Sequence, residues 1–466
     1  MMFDFNIPII SWILIGLEFL FALVCLLWLL RPLRRVSRHQ AFHPDPIPEK
    51  TINEPLALND TIDSYESEVA EEGEATEEVE ITEEGETTEE IAENGLAEAV
   101  EVVEDSEIEI DNDSESNEEE ESLIPKVSVI VDSIVDEETL EVFLQAVSTQ
   151  TYPDYEVIVI CDATAEATAI LNERFAEKYP RVYVTFIPPG SHNVSRHKLA
   201  LTIGIKAAKG DIIVTTVANA VIPSDDWISL ITTPIIASRR IELSLGLSRF
   251  DYGDMPATSR GYREFVTTLT DIRWVAAADA HRPYRGDGYN LAFRKDLFFR
   301  NKGYAQTIFL HSGDDDLFIH QVATSENTAV VLESDSILTI LWPGATSRVW
   351  KLRKSQYEFT SRWLPCGPFV KAGLTSTMQW LIPALGTAAA LIALPSLIAV
   401  MAAVVIWITF ISFEASFYAK AAPRIGSHKI FWRVPLFWLY KPIGNAFLRI
   451  SQRDTRFKFY TWQRHR

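Results

Sequence analysis

Residues Ile7 to Leu30 form an almost unbroken apolar run, and Arg31, Arg34, Arg35 and Arg38 follow it at once. About 20 apolar residues cross a hydrocarbon layer as one helix, so this run binds the chain to a membrane before anything else is decided. A secretory leader would carry its charge ahead of the apolar core and a small-residue cleavage site behind it, and neither is seen. The arginines place the following residues on the cytoplasmic side. Residues 1–38 therefore read as an N-terminal transmembrane anchor. A second apolar tract runs from Trp380 to about Phe413 and is broken by Pro395. It fits a tight hairpin of two short spans over 376–418, or one span with a re-entrant piece. Lys420, Arg424, Lys429 and Arg433 follow it, and an even number of crossings keeps both flanks cytoplasmic. The tail over 419–466 mixes Trp, Phe, Leu, Lys and Arg as an interfacial helix does. A helix packed on the core is the other reading of it.

The net charge of -23 is unevenly placed. Between Glu49 and Glu121 there are 31 acidic residues and one lysine, which leaves 34 acids against 41 basic residues elsewhere, a balance of +7. The acidic stretch is rich in Glu, Thr and Ala and lacks a helical stripe. It cannot bury enough apolar surface to offset chain entropy, so 39–122 reads as a disordered linker. A solvated spacer is the default, and a docking tail for protein partners is the alternative. The charge pattern gives no indication of nucleic-acid binding. Cys25, Cys161 and Cys366 form no even framework and no CxxC pair, which fits a reducing compartment.

Residues 123–365 alternate short apolar strands with helical runs. Val127–Val131, Tyr155–Ile160, Val182–Ile187 and Asp211–Thr216 are strand patterns. Glu137–Gln150, Ala165–Tyr179 and Lys198–Lys209 are helical, the last with Gly210 as a C-terminal stop. This order predicts βαβ units and a mostly parallel α/β sheet, in which ligands bind at the carboxyl ends of the strands.

Further along, Asp314, Asp315 and Asp316 stand directly before the apolar helical pattern Leu317, Phe318 and Ile319. Adjacent carboxylates raise one another's pKa, and that is one way a chain builds a general base. Acids complementing a helix dipole are the plainer reading. The loop Gly286, Asp287, Gly288, Tyr289 and Asn290 precedes them, either as a pocket turn or as an ordinary hairpin.

The blocks PKVSVIV, QTYPDYEVIVICD, HKLALTIGIKAAKGDIIVTT and IPSDDW, followed by PYRGDGYNLAFRKDLFF, SGDDDLF and WKLRKSQYEFTSRW, resemble membrane-associated family 2 glycosyltransferases over roughly 125–363. The resemblance implies a cytoplasmic GT-A nucleotide-sugar-binding domain that is usually inverting and dependent on Mg2+ or Mn2+. By position it implies Asp314 as the base, with Asp315 as the fallback. It implies Asp162 as a nucleotide contact, which a turn acid after a strand would also explain. Where the family carries Asp-x-Asp for the metal, this chain has Val217, Ala218 and Asn219, so Asn219 is the one remaining ligand there. Gly286, Asp287, Gly288 and Asn290 would line the donor–acceptor pocket. Arg353 and Lys354 would face the donor diphosphate, or else attract anionic lipid beside the membrane. Two functions follow as expectations. One is a transferase moving a sugar from a nucleotide donor to a lipid-linked or glycan acceptor. The other is a catalytically degenerate scaffold or regulatory subunit.

Overall fold

The structure is a computed structural model that describes residues 8–39, 124–133, 137–162, 164–188, 194–253, 255–394, 397–427, 433–451 and 460–461. The acidic stretch expected as a linker and Pro395, expected to break the second apolar tract, lie outside them. Helix α1 (Ile9–Arg38) leads into β1 (Val127–Ser133), α2 (Glu137–Ser148), β2 (Tyr155–Cys161), α3 (Ala165–Lys178), β3 (Val182–Phe186), α4 (Arg196–Ala207) and β4 (Ile212–Val217). After these come β5 (Ala220–Val221), α5 (Trp227–Ala237), β6 (Leu243–Leu245), β7 (Ser248–Phe250), α6 (Ala257–Ala278), β8 (Leu291–Arg294) and α7 (Lys295–Arg300). The remainder is α8 (Asp316–Val322), β9 (Thr328–Val330), β10 (Leu338–Ile340), α9 (Thr346–Thr360), α10 (Cys366–Ile392), α11 (Leu397–Ala421) and α12 (Val434–Ser451).

The main sheet has seven strands in the order β3-β2-β1-β4-β8-β6-β9, mostly parallel, with β8 running against β4 and β6. Its strands are apolar on both faces because helices cover both, the pattern of a buried parallel sheet. Leu140, Phe143, Leu144 and Val147 of α2 supply one such cover. The register sets Asp132 beside Ile160 and Val217, which brings the carboxyl ends of β1, β2 and β4 level. Gly210 is not the helix stop that the sequence suggested. Helix α4 ends at Ala207, and a Cβ at Gly210 would lie 2.7 Å from the Lys126 carbonyl oxygen and the Ser128 nitrogen. The residue is small because β4 starts against β1.

Two helices are long and apolar enough to cross a membrane, Ile9–Arg38 and Leu397–Ile425. The apolar tract 380–413 is the middle of a longer hairpin. Helix α10 starts at Cys366, α11 ends at Ala421, and the break falls between Ile392 and Leu397. Helix α10 matches α11 in length but carries Lys371, Thr375, Ser376 and Gln379, so apolarity alone underestimates it. Cys25 lies against the Thr375 carbonyl and Glu18 against Gly386, so α1 and α10 run antiparallel. Ile15 packs with Ala399, and Arg34 stacks on Phe417 at 5.0 Å, so α1 and α11 run parallel. The arginine end of α1, the start of α10 and the end of α11 therefore meet at the end of the bundle nearest the sheet domain.

Helix α6 joins the two parts. Phe265 packs against Tyr418, Phe437 and Trp438 at 5.5–5.6 Å between ring centroids. Thr268 bonds Ser427 at 2.7 Å, and His39 meets Asp279 at 3.0 Å.

Within the sheet domain Asn290 is wholly buried. Its amide donates to the carbonyls of Leu247 (2.7 Å) and Ser336 (2.8 Å) and accepts from the Trp227 indole (3.1 Å). The side chain expected to line a pocket is instead a tie between β8, the β6–β7 turn and α5. Replacing Asn290 with Ala would leave buried groups unpaired at roughly 1–3 kcal/mol each. A thermal melt of the variant should show a midpoint several degrees below the wild type.

Candidate active site

The site starts at the level carboxyl ends of β1, β2 and β4. Asp132 is the last residue but one of β1, Asp162 follows β2, Val217 ends β4 and Asn219 lies just beyond it. Helix α4 is the crossover between β3 and β4, so its first turn also lies at this end, where a right-handed βαβ unit places ligands. That turn is Arg196 and His197, capped by Ser195, whose hydroxyl accepts from the Lys198 amide. Arg196 grips Asp162 through both ends of its guanidinium, one bond at 3.0 Å. Asp162 is thereby held below the usual carboxylate range, chiefly by its hydrogen bond to Arg196.

His197 bridges two carboxylates, with Nδ1 on Asp132 and Nε2 on Asp314 at 3.1 Å. Burial opposes its charge, but Asp314 and Asp132 together raise its pKa well above the ordinary histidine value. Both ring nitrogens face acceptors, so the ring is an imidazolium. Lys198 lies behind it, fully buried, with Nζ on the Thr307 carbonyl at 2.6 Å.

Gly313 brings in the acidic triplet at φ 95°, and a Cβ there would strike Leu317 at 2.6 Å. Each carboxylate then meets a different partner. Asp314 faces His197 and is the most exposed of the three, at 17 %. Burial raises its pKa, but His197 and Lys198 outweigh that and hold it at about 2. Asp315 caps α8 by accepting from the Asp316 amide at 2.6 Å, accepts from the Tyr357 hydroxyl at 2.7 Å and lies 3.7 Å from Arg353. Burial first, then Asp316 and Asp314, push its carboxyl up to about 8. Asp316 is wholly buried, paired with Arg285 at 3.0 Å and bonded by the Thr360 hydroxyl.

The loop before β8 closes the other side. A Cβ on Gly288 would lie 2.9 Å from that of Asp315, so only glycine lets this backbone lie against the triplet. The Gly288 carbonyl accepts from Thr215 of β4 at 2.8 Å. Asp287 accepts from the Ser248 amide and hydroxyl and pairs with Arg353 at 2.6 Å. Arg353 stacks on Tyr289 at 4.0 Å. Arg353, Tyr357 and Thr360 share one face of α9 by their three- and four-residue spacing. Gly286 and Asp287 line the cleft beyond. Lys354 lines the same cleft and donates to Asn445 of α12 at 2.6 Å.

The structure thus gathers Asp314, Asp315, Asp287, Gly288 and Arg353 in one place, with Asp162 at the neighbouring strand end. It gives Asn290 to the core and ties Lys354 to α12. His197, Arg196, Arg285 and Tyr357 were not anticipated. The signal for the first two was in the pattern: a basic pair opening a crossover helix must point at the ligand end of the sheet.

The residues do not fit a divalent ion at the position the resemblance implies. Val217 offers no donor atom. The Asn219 side-chain nitrogen donates to the Leu341 carbonyl at 2.5 Å, and the Asn219 backbone carbonyl accepts from the Leu341 amide, which joins β5 to β10. The nearest carboxylates, Asp132 and Asp162, are already neutralised by His197 and Arg196. No group of three His, Cys, Asp or Glu among the described residues is arranged to hold a metal.

A pH dependence follows from Asp315. A carboxyl raised in the folded state keeps its proton there while the unfolded chain has lost it. The stability it contributes is full below about 4 and drains as pH rises through about 8. Asp315→Asn should remove that slope, so its melting advantage over the wild type should grow between pH 5 and pH 8.

Residues 125–339 match the family model described as glycosyltransferase like family 2. No curated protein matches the chain. Among solved structures, a mannosyltransferase from Pyrobaculum calidifontis in complex with GDP-Man and Mn2+ is 20% identical over 72% of this chain and 98% of its own, with a TM-score of 0.40. TarS 1–349 from S. aureus is 14% identical over 73% of this chain and 93% of its own, with a TM-score of 0.33. The block of α9 lies beyond the matched residues, so its place in the site comes from the fold alone. Over 125–339, a little under half of its length, the chain is thus similar in sequence to glycosyltransferase like family 2.

Proposed function

We propose that the chain transfers a sugar from a nucleotide-sugar donor to a membrane-held acceptor, lipid-linked or glycan, at the cytoplasmic face. The observation that carries the reading is the triplet Asp314–Asp316. It is built into the carboxyl end of a parallel sheet with a separate partner for each acid. A scaffold would have no use for three buried carboxylates, whose burial costs several kcal/mol per uncompensated charge. The two long apolar helices support the membrane location. The arginines ending α1 support the cytoplasmic orientation.

The donor lies across the ends of β1, β2 and β4, with its diphosphate facing the first turn of α4. Arg196 and the His197 imidazolium supply the positive charge there, and helix N-termini favour anions. The acceptor hydroxyl attacks the anomeric carbon in a single inverting displacement. The bond to the diphosphate breaks, and the acceptor proton passes to Asp314. Asp314 is the base because it is ionised and reachable, whereas Asp315 is protonated at neutral pH and fixed by Tyr357 and Arg353. No step requires a divalent ion.

Full-length protein supplied with labelled nucleotide sugars and membranes tests this. Asp314→Asn should cut transfer by roughly 10²–10⁴. The wild-type rate should stay level from about pH 4 to pH 8. A rate that instead rises through about 8 would move the base to Asp315. Transfer should survive a metal chelator, and its complete loss would show that the cations of α4 do not suffice.

A further inference from the structure

Tyr460 and Thr461 lie beyond α12, in the tail of the chain, and pack on the segment that leads into the acidic triplet. Tyr460 pairs with Leu310 in an antiparallel bridge. The Thr461 amide donates to the Phe309 carbonyl at 2.9 Å, and the Thr461 hydroxyl donates to the same oxygen at 3.1 Å. The Tyr460 ring stacks on Phe309, 6.4 Å between centroids and 8° from parallel. It also meets Phe359 of α9 edge-on at 5.3 Å.

The segment held in this way is tied to the groups around Asp314. The Thr307 carbonyl accepts from the buried Lys198 Nζ at 2.6 Å, and the Ile308 carbonyl accepts from the Ser195 amide at 2.8 Å. Residues 307–308 are therefore fixed to the first turn of α4, which carries His197. Phe359 adjoins Thr360, whose hydroxyl bonds Asp316, and shares α9 with Tyr357, the partner of Asp315. Beyond Leu310 the chain has His311, Ser312 and Gly313 before Asp314. Gly313, at φ 95°, contributes no side chain to hold that short link. The tail on one side and α4 on the other thus fix the segment just before the turn.

We infer that Tyr460 and Thr461 are positioning residues of the transfer site. Through Phe309 and Leu310 they hold the turn that presents Asp314, and through Phe359 the helix that fixes Asp315. The inference rests on the transferase reading, in which Asp314 takes the acceptor proton. Misplacing a reacting group by about 1 Å can cost roughly 10²-fold in rate. Such a loss falls on kcat, because the donor lies at the ends of β1, β2 and β4, away from the tail. The same hold keeps Asp314 beside His197 and Lys198, which lower its pKa to about 2 against the effect of burial. A looser turn lets that carboxyl return toward its ordinary value.

The test uses the full chain in detergent, supplied with labelled nucleotide sugar and membranes. Tyr460→Ala should lower kcat by about ten- to a hundredfold and leave KM for the nucleotide sugar unchanged. Its rate should begin to fall below about pH 5, where the wild type stays level, as Asp314 protonates nearer the ordinary carboxylate value. Thr461→Pro, which removes the amide that meets Phe309, should act alike. Tyr460→Phe keeps both ring contacts and should retain the wild-type kcat. Hydrogen exchange at the amides of 308–313 reports the hold without turnover, and it should quicken in Tyr460→Ala and Thr461→Pro. A wild-type kcat in Tyr460→Ala would overturn the inference. So would a lowered kcat with unchanged exchange at 308–313 and an unmoved pH profile, the mark of a general loss of folded protein. A defect confined to KM for the nucleotide sugar would assign the tail to the donor and overturn it too. Absence of transfer by the wild type would remove the transferase reading and the positioning role together, while quickened exchange in the variants would still show that the tail holds the turn.

Discussion

Three adjacent carboxylates folded into one buried turn are the constraint on which the rest of this domain depends. No single cation can serve Asp314, Asp315 and Asp316, because consecutive side chains point apart. The chain answers with one partner set from each of three elements. His197 comes from α4, Arg353 and Tyr357 from α9, and Arg285 from the segment before β8. Removing one partner of a buried pair typically costs about 3–5 kcal/mol. The positions of α4, α8, α9 and the 285–290 loop are therefore tied together by polar contacts to one turn.

The same partners separate the acids chemically. His197 and Lys198 keep Asp314 ionised, while burial and its neighbours keep Asp315 protonated. Two carboxyl groups one residue apart thus hold opposite protonation states near neutral pH, the condition in which one serves as base and the other as a fixed donor or acceptor. Elsewhere in the cleft, protein cations neutralise Asp132 and Asp162 at the strand ends. Val217 and Asn219 bring no carboxylate to the end of β4, and Arg196 and His197 bring cations to the ends of β2 and β1.

How much of this was legible in the sequence depended on the range of the interaction. The strands and crossover helices were readable because apolar periodicity is local. β1, β2, β3 and β4 fall within two residues of their expected bounds. The triplet and the glycine loop were readable as unusual local chemistry. The partners were not. His197 stands 117 positions from Asp314, and Arg285 stands 31 from Asp316. Nothing in either neighbourhood states which cation meets which acid. Asn290 was misplaced for the same reason. A polar residue in a glycine-rich loop looks like a site residue until the fold shows its amide on Leu247 and Ser336. The hairpin bounds erred because the ends of α10 carry hydroxyls and a lysine, which a buried or boundary helix tolerates and an apolarity count does not.

The geometry between site and membrane is the last consequence. Helix α9 carries Arg353 and Tyr357 and is joined to α10 by residues 361–365 alone. Helix α6 is fastened to the bundle through Phe265 and Thr268, and Arg249 beside it donates to the Ile425 carbonyl at 2.5 Å. The side chains that hold Asp315 are thus mounted a few residues from a bundle helix, in a domain docked by aromatic packing and buried hydrogen bonds. Such a site cannot swing far toward a substrate in solution or down into a bilayer. A ligand of this site must therefore meet it at a fixed height above the helices. The arginines that end α1 line a cavity that shares Arg273 and Tyr284 with the cleft beside the triplet.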